Sequence, residues 1–143
     1  MRQRLGRVGV QRMLLAAIAV DAAYWLLWFA DRSAVASSTR SAYVEFENAF
    51  PLADAGLAVA CVAALVSLRR RSPTALLWLI AAGGGGLYLF AMDVLYDLEH
   101  GIYATGAGGV IEAAINLITL AFSLIALSWA WSNREELLQP QRM

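Results

Sequence analysis

Four stretches of this chain are apolar almost without relief. Residues 72–92 and 113–133 each run 21 positions with no Asp, Glu, Lys, Arg or His. Residues 48–68 match that length with Asp54 as the single interruption, and residues 13–30 give 18 positions interrupted only by Asp21. A hydrocarbon core about 30 Å thick takes roughly 20 residues of α-helix. The pattern therefore predicts four spans, over about 13–30, 50–68, 74–97 and 110–131. The expected fold is all-α and integral to a membrane: one transmembrane domain over 1–143, a four-span antiparallel helix bundle with short loops.

The punctuation between the stretches fits. Tyr24, Trp25, Trp28 and Phe29 close the first span, and Trp129 and Trp131 close the last, as interfacial anchors do. Pro51 suits the first turn of span two, where its missing N–H costs nothing. Residues 1–12 read as a basic, mobile lead. Residues 31–49 form the longest loop, Ser-rich from Ser33 to Ser41. Its end, Tyr43 to Glu47, alternates apolar and acidic residues and suits a segment lying on the membrane surface. Residues 101–110 hold Gly101, Gly106, Gly108 and Gly109, and read as a flexible loop.

Composition agrees: 60% hydrophobic residues and 15% charged, against roughly 45–50% apolar in soluble domains. Net charge is zero, but its distribution is lopsided. All 11 basic residues are Arg. Nine lie before span one, between spans two and three, or after span four; Arg32 and Arg40 alone fall in the first loop, and the loop at 101–110 has none. By the positive-inside rule this is a multi-pass cell-membrane protein with both termini cytoplasmic. A basic start followed by Ala34-Val35-Ala36 imitates a signal peptide, but the apolar stretch exceeds the usual length and reads as a retained span. The Arg residues sit where topology needs them, so no nucleic-acid partner is expected. Cys61, the only cysteine, has no disulfide partner.

Polar residues inside the spans carry the chemistry. A carboxylate at a helix centre costs about 2.5–3.5 kcal/mol on the insertion scale, and every span has at least one. Asp93, Asp97 and His100 stand at i, i+4 and i+7 on one helix face. Glu112, Asn116, Thr119 and Ser123 repeat that spacing on the next helix. Asp54 lies four residues into span two, and Asp21 lies deeper in span one. Polar faces turned together would make an acidic pocket in the outer half of the bilayer, walled by Tyr24, Trp25, Trp28, Tyr88, Phe90 and Tyr96. With so few basic partners, part of the set is expected to hold its protons, the condition for general-acid or proton-coupled work. Asp54 and Asp93 are the catalytic candidates; Asp21, Trp25, Trp28, Tyr96, Asp97, Glu112 and Asn116 are the ligand-binding ones. Plainer readings stand beside these. Asp97, Glu99 and His100 also suit a solvated helix end, and Asp54 and Glu112 suit helix starts, where the dipole favours an anion.

No metal and no cofactor is assigned. One His and one submerged Cys argue against zinc, and a carboxylate-bridged pair needs two acid–His motifs where Asp97/His100 is the only one. Oxygen ligation of a hard cation is chemically allowed, though no spacing demands it. Gly83 to Gly86 lack the Lys-Ser/Thr of a phosphate loop and suit either close helix packing or an unwound segment lining a cavity. Gly56, Ala60 and Ala64 form a small-residue ridge that would admit a second copy or another membrane partner.

The layout resembles the EXPERA family, the group of the emopamil-binding sterol isomerase. Asp54, about 15 residues before the basic stop at Arg69, resembles that family's span-two Glu. The stretch Asp93-Val94-Leu95-Tyr96 resembles its third-helix segment, and Asn116 its last-helix Asn. Asp21 stands where the isomerase has His and Glu, and no Trp follows Asn116 by three residues. The resemblance implies a cavity for sterol-like molecules or cationic amphiphiles, with Asp54 and Asn116 binding or catalytic. Three functions follow as expectations: a site for a membrane lipid or lipid-like small molecule with acid/base isomerase chemistry, a proton- or cation-coupled carrier or channel component, and an accessory subunit docked through the small-residue ridge.

Overall fold

The computed structural model describes residues 5–139 and is helical apart from turns and an irregular stretch over 36–40 in the first loop. Four long helices carry the predicted spans: α1 (Arg7–Ala30), α3 (Pro51–Arg69), α4 (Thr74–His100) and α5 (Ala107–Ser132). Two short ones accompany them, α2 (Ser41–Glu47) in the first loop and α6 (Arg134–Leu138) after the last span. The four long helices, the second taken with α2, are long and apolar enough to cross a membrane.

The long helices pack in chain order, α1 on α3, α3 on α4 and α4 on α5, while α1 meets α5 little. Their outward faces are apolar: Leu26, Leu52, Leu77, Leu117 and Trp131 are all exposed. Glu47, Asp97, Glu112 and Asn116 are buried instead. Apolar side chains outside and carboxylates inside reverse the usual distribution of a water-soluble domain and match a surface made for lipid.

Helix ends overrun the apolar stretches. α1 begins at Arg7, so the second half of the expected mobile lead is helical; its 24 residues are about 36 Å long. Backbone hydrogen bonding does not stop where hydrophobicity does, because Arg and Gln are good helix formers. The loop at 101–110 is equally structured. Gly101 ends α4 in the left-handed region at φ 66°, a conformation that suits Gly. A 3-10 turn at Ile102–Ala104 buries Ile102, and α5 starts at Ala107.

Two expected packing devices are used within the chain. α4 runs unbroken through Gly83–Gly86, so the segment is neither kinked open nor unwound. A Cβ on Gly83 would lie 2.7 Å from Leu127 Cγ, and one on Gly86 2.5 Å from Ser123 Oγ; these glycines let α4 and α5 approach. Ala60 and Ala64 are buried in the chain's own core, whereas Gly56 is exposed. The ridge offers a partner only its Gly56 end.

Candidate functional site

The bundle has two unlike ends. At one, both described termini and the Arg69–Ser72 turn meet: Trp129 donates its indole N–H to the Leu5 carbonyl at 2.7 Å, and Arg7 pairs with Glu136 at 2.8 Å. At the other, the first loop, α2 and the 101–106 turn gather round the carboxylates. These are the termini end and the acid end.

Three elements build the acid end's centre. On α4, Asp93 and Asp97 are one turn apart on the inward face, as their spacing predicts. On α5, Glu112 and Asn116 are likewise stacked and both buried. The third element was not expected there. Tyr43 to Glu47 forms helix α2 rather than a surface segment, so Tyr43 and Glu47, at i and i+4, share a buried face while Glu45 is exposed. One carboxylate oxygen from each of Glu47, Asp93 and Glu112 lies within 4.8 Å of the others.

Neutral donors hold these acids. Tyr24 Oη donates to Glu47 Oε2 at 3.0 Å, and Ser37 Oγ donates to Glu112 Oε2. Asn116 Nδ2 donates both to Asp97 Oδ2 and to the Tyr103 hydroxyl, each at 2.9 Å. Ser37 reaches Glu112 because Gly108, opposite, has no side chain; a Cβ there would stand 2.7 Å from the Ser37 carbonyl oxygen. Burial, with the carboxylates of Asp97 and Asp93 nearby, pushes the Tyr103 phenol up to about 12. Tyr103 therefore stays a neutral hydroxyl at any physiological pH.

Asp97 is wholly buried, which removes the solvated-end reading for this residue, and its Oδ1 accepts no hydrogen bond from any described residue. His100, three residues on, is exposed. It stacks on Tyr96 with ring centroids 3.9 Å apart, and its Nδ1 lies 2.9 Å from the Tyr96 carbonyl. The two do not act as an acid–His pair.

A second node lies alongside, between α1 and α3. Trp25 donates its indole N–H to Asp54 Oδ2 at 3.0 Å, and Asp21, one turn from Trp25, is close enough to interact electrostatically with Asp54. Trp28 instead anchors Asn48 at 3.0 Å. Tyr96 is sandwiched between Phe46 and His100.

Other expected members fall outside. Tyr88 is 65% exposed on the outward face and walls nothing. Thr119 and Ser123 give their hydroxyls to the carbonyls four residues back, so the polar stripe of α5 ends functionally at Asn116. The two first-loop arginines supply no counter-charge: Arg32 lies over the Trp28 ring and Arg40 donates to the His100 carbonyl. Among the described residues the ion pairs are Arg7–Glu136 and Arg134–Glu135, both remote from the acid end.

Glu47, Tyr43, Ser37 and Tyr103 are the site residues that sequence reading missed. The Tyr43–Glu47 spacing of four was a usable helical signal, masked by alternation in a short segment. Ser37 had no local signal. No protein-family model, no curated protein and no solved structure matches this chain.

Proposed function

We propose that this chain crosses the cell membrane four times with both termini cytoplasmic, and that it binds and passes positive charge, a proton or a metal cation, through its outer half as a cation-coupled carrier or channel component. One observation carries the reading: six carboxylates lie between the helices without a basic partner among the described residues. They step from Glu47, Asp97 and Glu112 through Asp93 and Asp54 to Asp21. Uncompensated charge at such depth is costly, and ion pathways are where that cost is ordinarily tolerated. Asp21 is the deepest member and the natural inward relay.

Proteoliposomes with a trapped pH dye and a potential-sensitive dye test this. Wild-type protein should dissipate an imposed cation or proton gradient, and Asp21→Asn should cut the flux at least tenfold. Wild-type vesicles as tight as protein-free ones would overturn the proposal.

The aromatic lining favours a second reading. Tyr24, Trp25 and Trp28 pack edge and face beside Asp54, an arrangement suited to the cationic head of a lipid-like or sterol-like amphiphile. The EXPERA resemblance implies a site of this kind with Asp54 and Asn116 binding or catalytic, and acid/base chemistry there would take Asp54 or Asp93 as proton donor. Asp54→Asn and Trp25→Ala should each weaken binding of a quaternary-ammonium amphiphile in detergent. Unchanged affinity in both removes this reading.

A further inference from the structure

We propose that the termini end holds the phosphate of an anionic lipid headgroup, with Arg71 as the recognising side chain. The site lies away from the acid end and shares one premise with the reading above, that the chain crosses a membrane. It starts from the turn between α3 and α4. There the Ser72 N–H donates to the Ser67 carbonyl at 2.9 Å, and the Arg71 N–H to the Leu68 carbonyl at 3.3 Å. This pair of bonds is the Schellman ending of a helix, whose left-handed position usually falls to Gly. Arg71 occupies it at φ 52°, the only described residue other than glycine with a positive φ. An L side chain there crowds the following carbonyl oxygen, so Gly would serve the turn better. A residue kept against its local preference points to a use for its side chain.

The surroundings indicate the use. A recess between this turn and α6 is lined by Arg7, Arg71, Ser72 and Gln139, with the buried Leu68 and Leu137 on its apolar side. Arg7 is already engaged by Glu136 at 2.8 Å. Arg71 forms no ion pair among the described residues, and neither do Arg12, Arg69 and Arg70. With Arg134 these make six described arginines at this end, against Glu135 and Glu136. A guanidinium meets a phosphate with two parallel N–H donors, which makes Arg71 a suitable phosphate ligand.

Depth selects the source of that phosphate. The uncharged run of α4 begins at Ser72, directly after Arg71. Trp129 and Trp131 lie at the same end, as residues at the headgroup level do. Basic residues there attract anionic lipids, and basic recesses between spanning helices hold their headgroups. The apolar side of the recess favours a lipid over a free anion.

Delipidated protein in mild detergent, titrated with short-chain phosphatidylglycerol and followed by native mass spectrometry, tests this. Wild type should bind phosphatidylglycerol at least tenfold more tightly than phosphatidylcholine of the same chain length. Arg71→Gly should weaken that binding at least fivefold while melting at or above the wild-type temperature. Arg12→Gln removes the same charge outside the recess and should change the affinity less than twofold. Inorganic phosphate should displace the lipid only in hundredfold or greater excess. Equal binding of the two lipids, an equal loss in Arg12→Gln, or displacement by equimolar phosphate would overturn the proposal. A lower Tm in Arg71→Gly would do the same, by showing the arginine to be structural. Release of the protein from membranes by alkaline carbonate without detergent would overturn the shared premise and both readings with it. Lost lipid selectivity in a carbonate-resistant protein overturns this site alone, and tight vesicles overturn only the carrier.

Discussion

The two ends of this bundle are built by different means. At the termini end, Val10, Leu14, Ala64, Leu68, Ala75, Leu79, Ala126 and Ala130 form a core of small and aliphatic side chains. At the acid end, Trp28, Tyr43 and Ile102, with Tyr24, Trp25 and Tyr96 around them, surround hydrogen-bonded carboxylates. In lipid, helices gain no hydrophobic energy by meeting, so association rests on close packing and interhelical hydrogen bonds. The termini end uses the first and the acid end the second. Close packing stabilises without further consequence. Buried acids destabilise unless neutralised, so the acid end carries a cost that the termini end does not.

Substitutions can break that contrast or sharpen it. The largest effect should come where helices approach most closely. Gly83→Leu would drive a side chain into Leu127 and the Ser123 carbonyl, and overpacking of this kind costs about 3 kcal/mol. Thermal unfolding in detergent should show a much lower Tm; an unchanged Tm would mean that the α4–α5 seam is loose. Ala64→Leu, on α3 at the termini end, should cost about 2 kcal/mol by the same mechanism, read from the same curves.

The acid end should answer with the opposite sign. Glu112→Gln keeps the shape and the acceptor for Ser37 while removing one unpaired charge, and in cation-free buffer it should stabilise by about 1 kcal/mol. A loss of stability would show that the carboxylate is structural and would collapse the distinction between the ends. Smallest of all is Arg7→Gln. The Arg7–Glu136 pair is exposed on the Glu136 side, and such surface pairs contribute about 0.5 kcal/mol or less. A Tm shift within error is expected.

The two ends also differed in how far they could be read beforehand. The termini end lay in the pattern itself: apolar runs located the long helices, and glycines and alanines marked close approach without naming the partner helix. At the acid end, helical spacing placed Asp93 with Asp97 and Glu112 with Asn116, because i and i+4 share a face whatever the fold. Tyr88 illustrates the limit. As an aromatic near an acid it was expected in the wall, yet its helical angle turns it outward.

What the sequence determined by itself was therefore local: where helices run and which residues share a face. Hydrophobicity and a 3.6-residue turn are properties of a segment alone. Only the tertiary structure decided that Glu47 joins Asp93 and Glu112, that Ser37 reaches across to Glu112 from 75 residues away, and that Asp97 is enclosed while His100 is not. Those outcomes depend on which faces meet and at what distance. Gly108 permits one such approach and α2 another, and neither can be read from the residues on one helix.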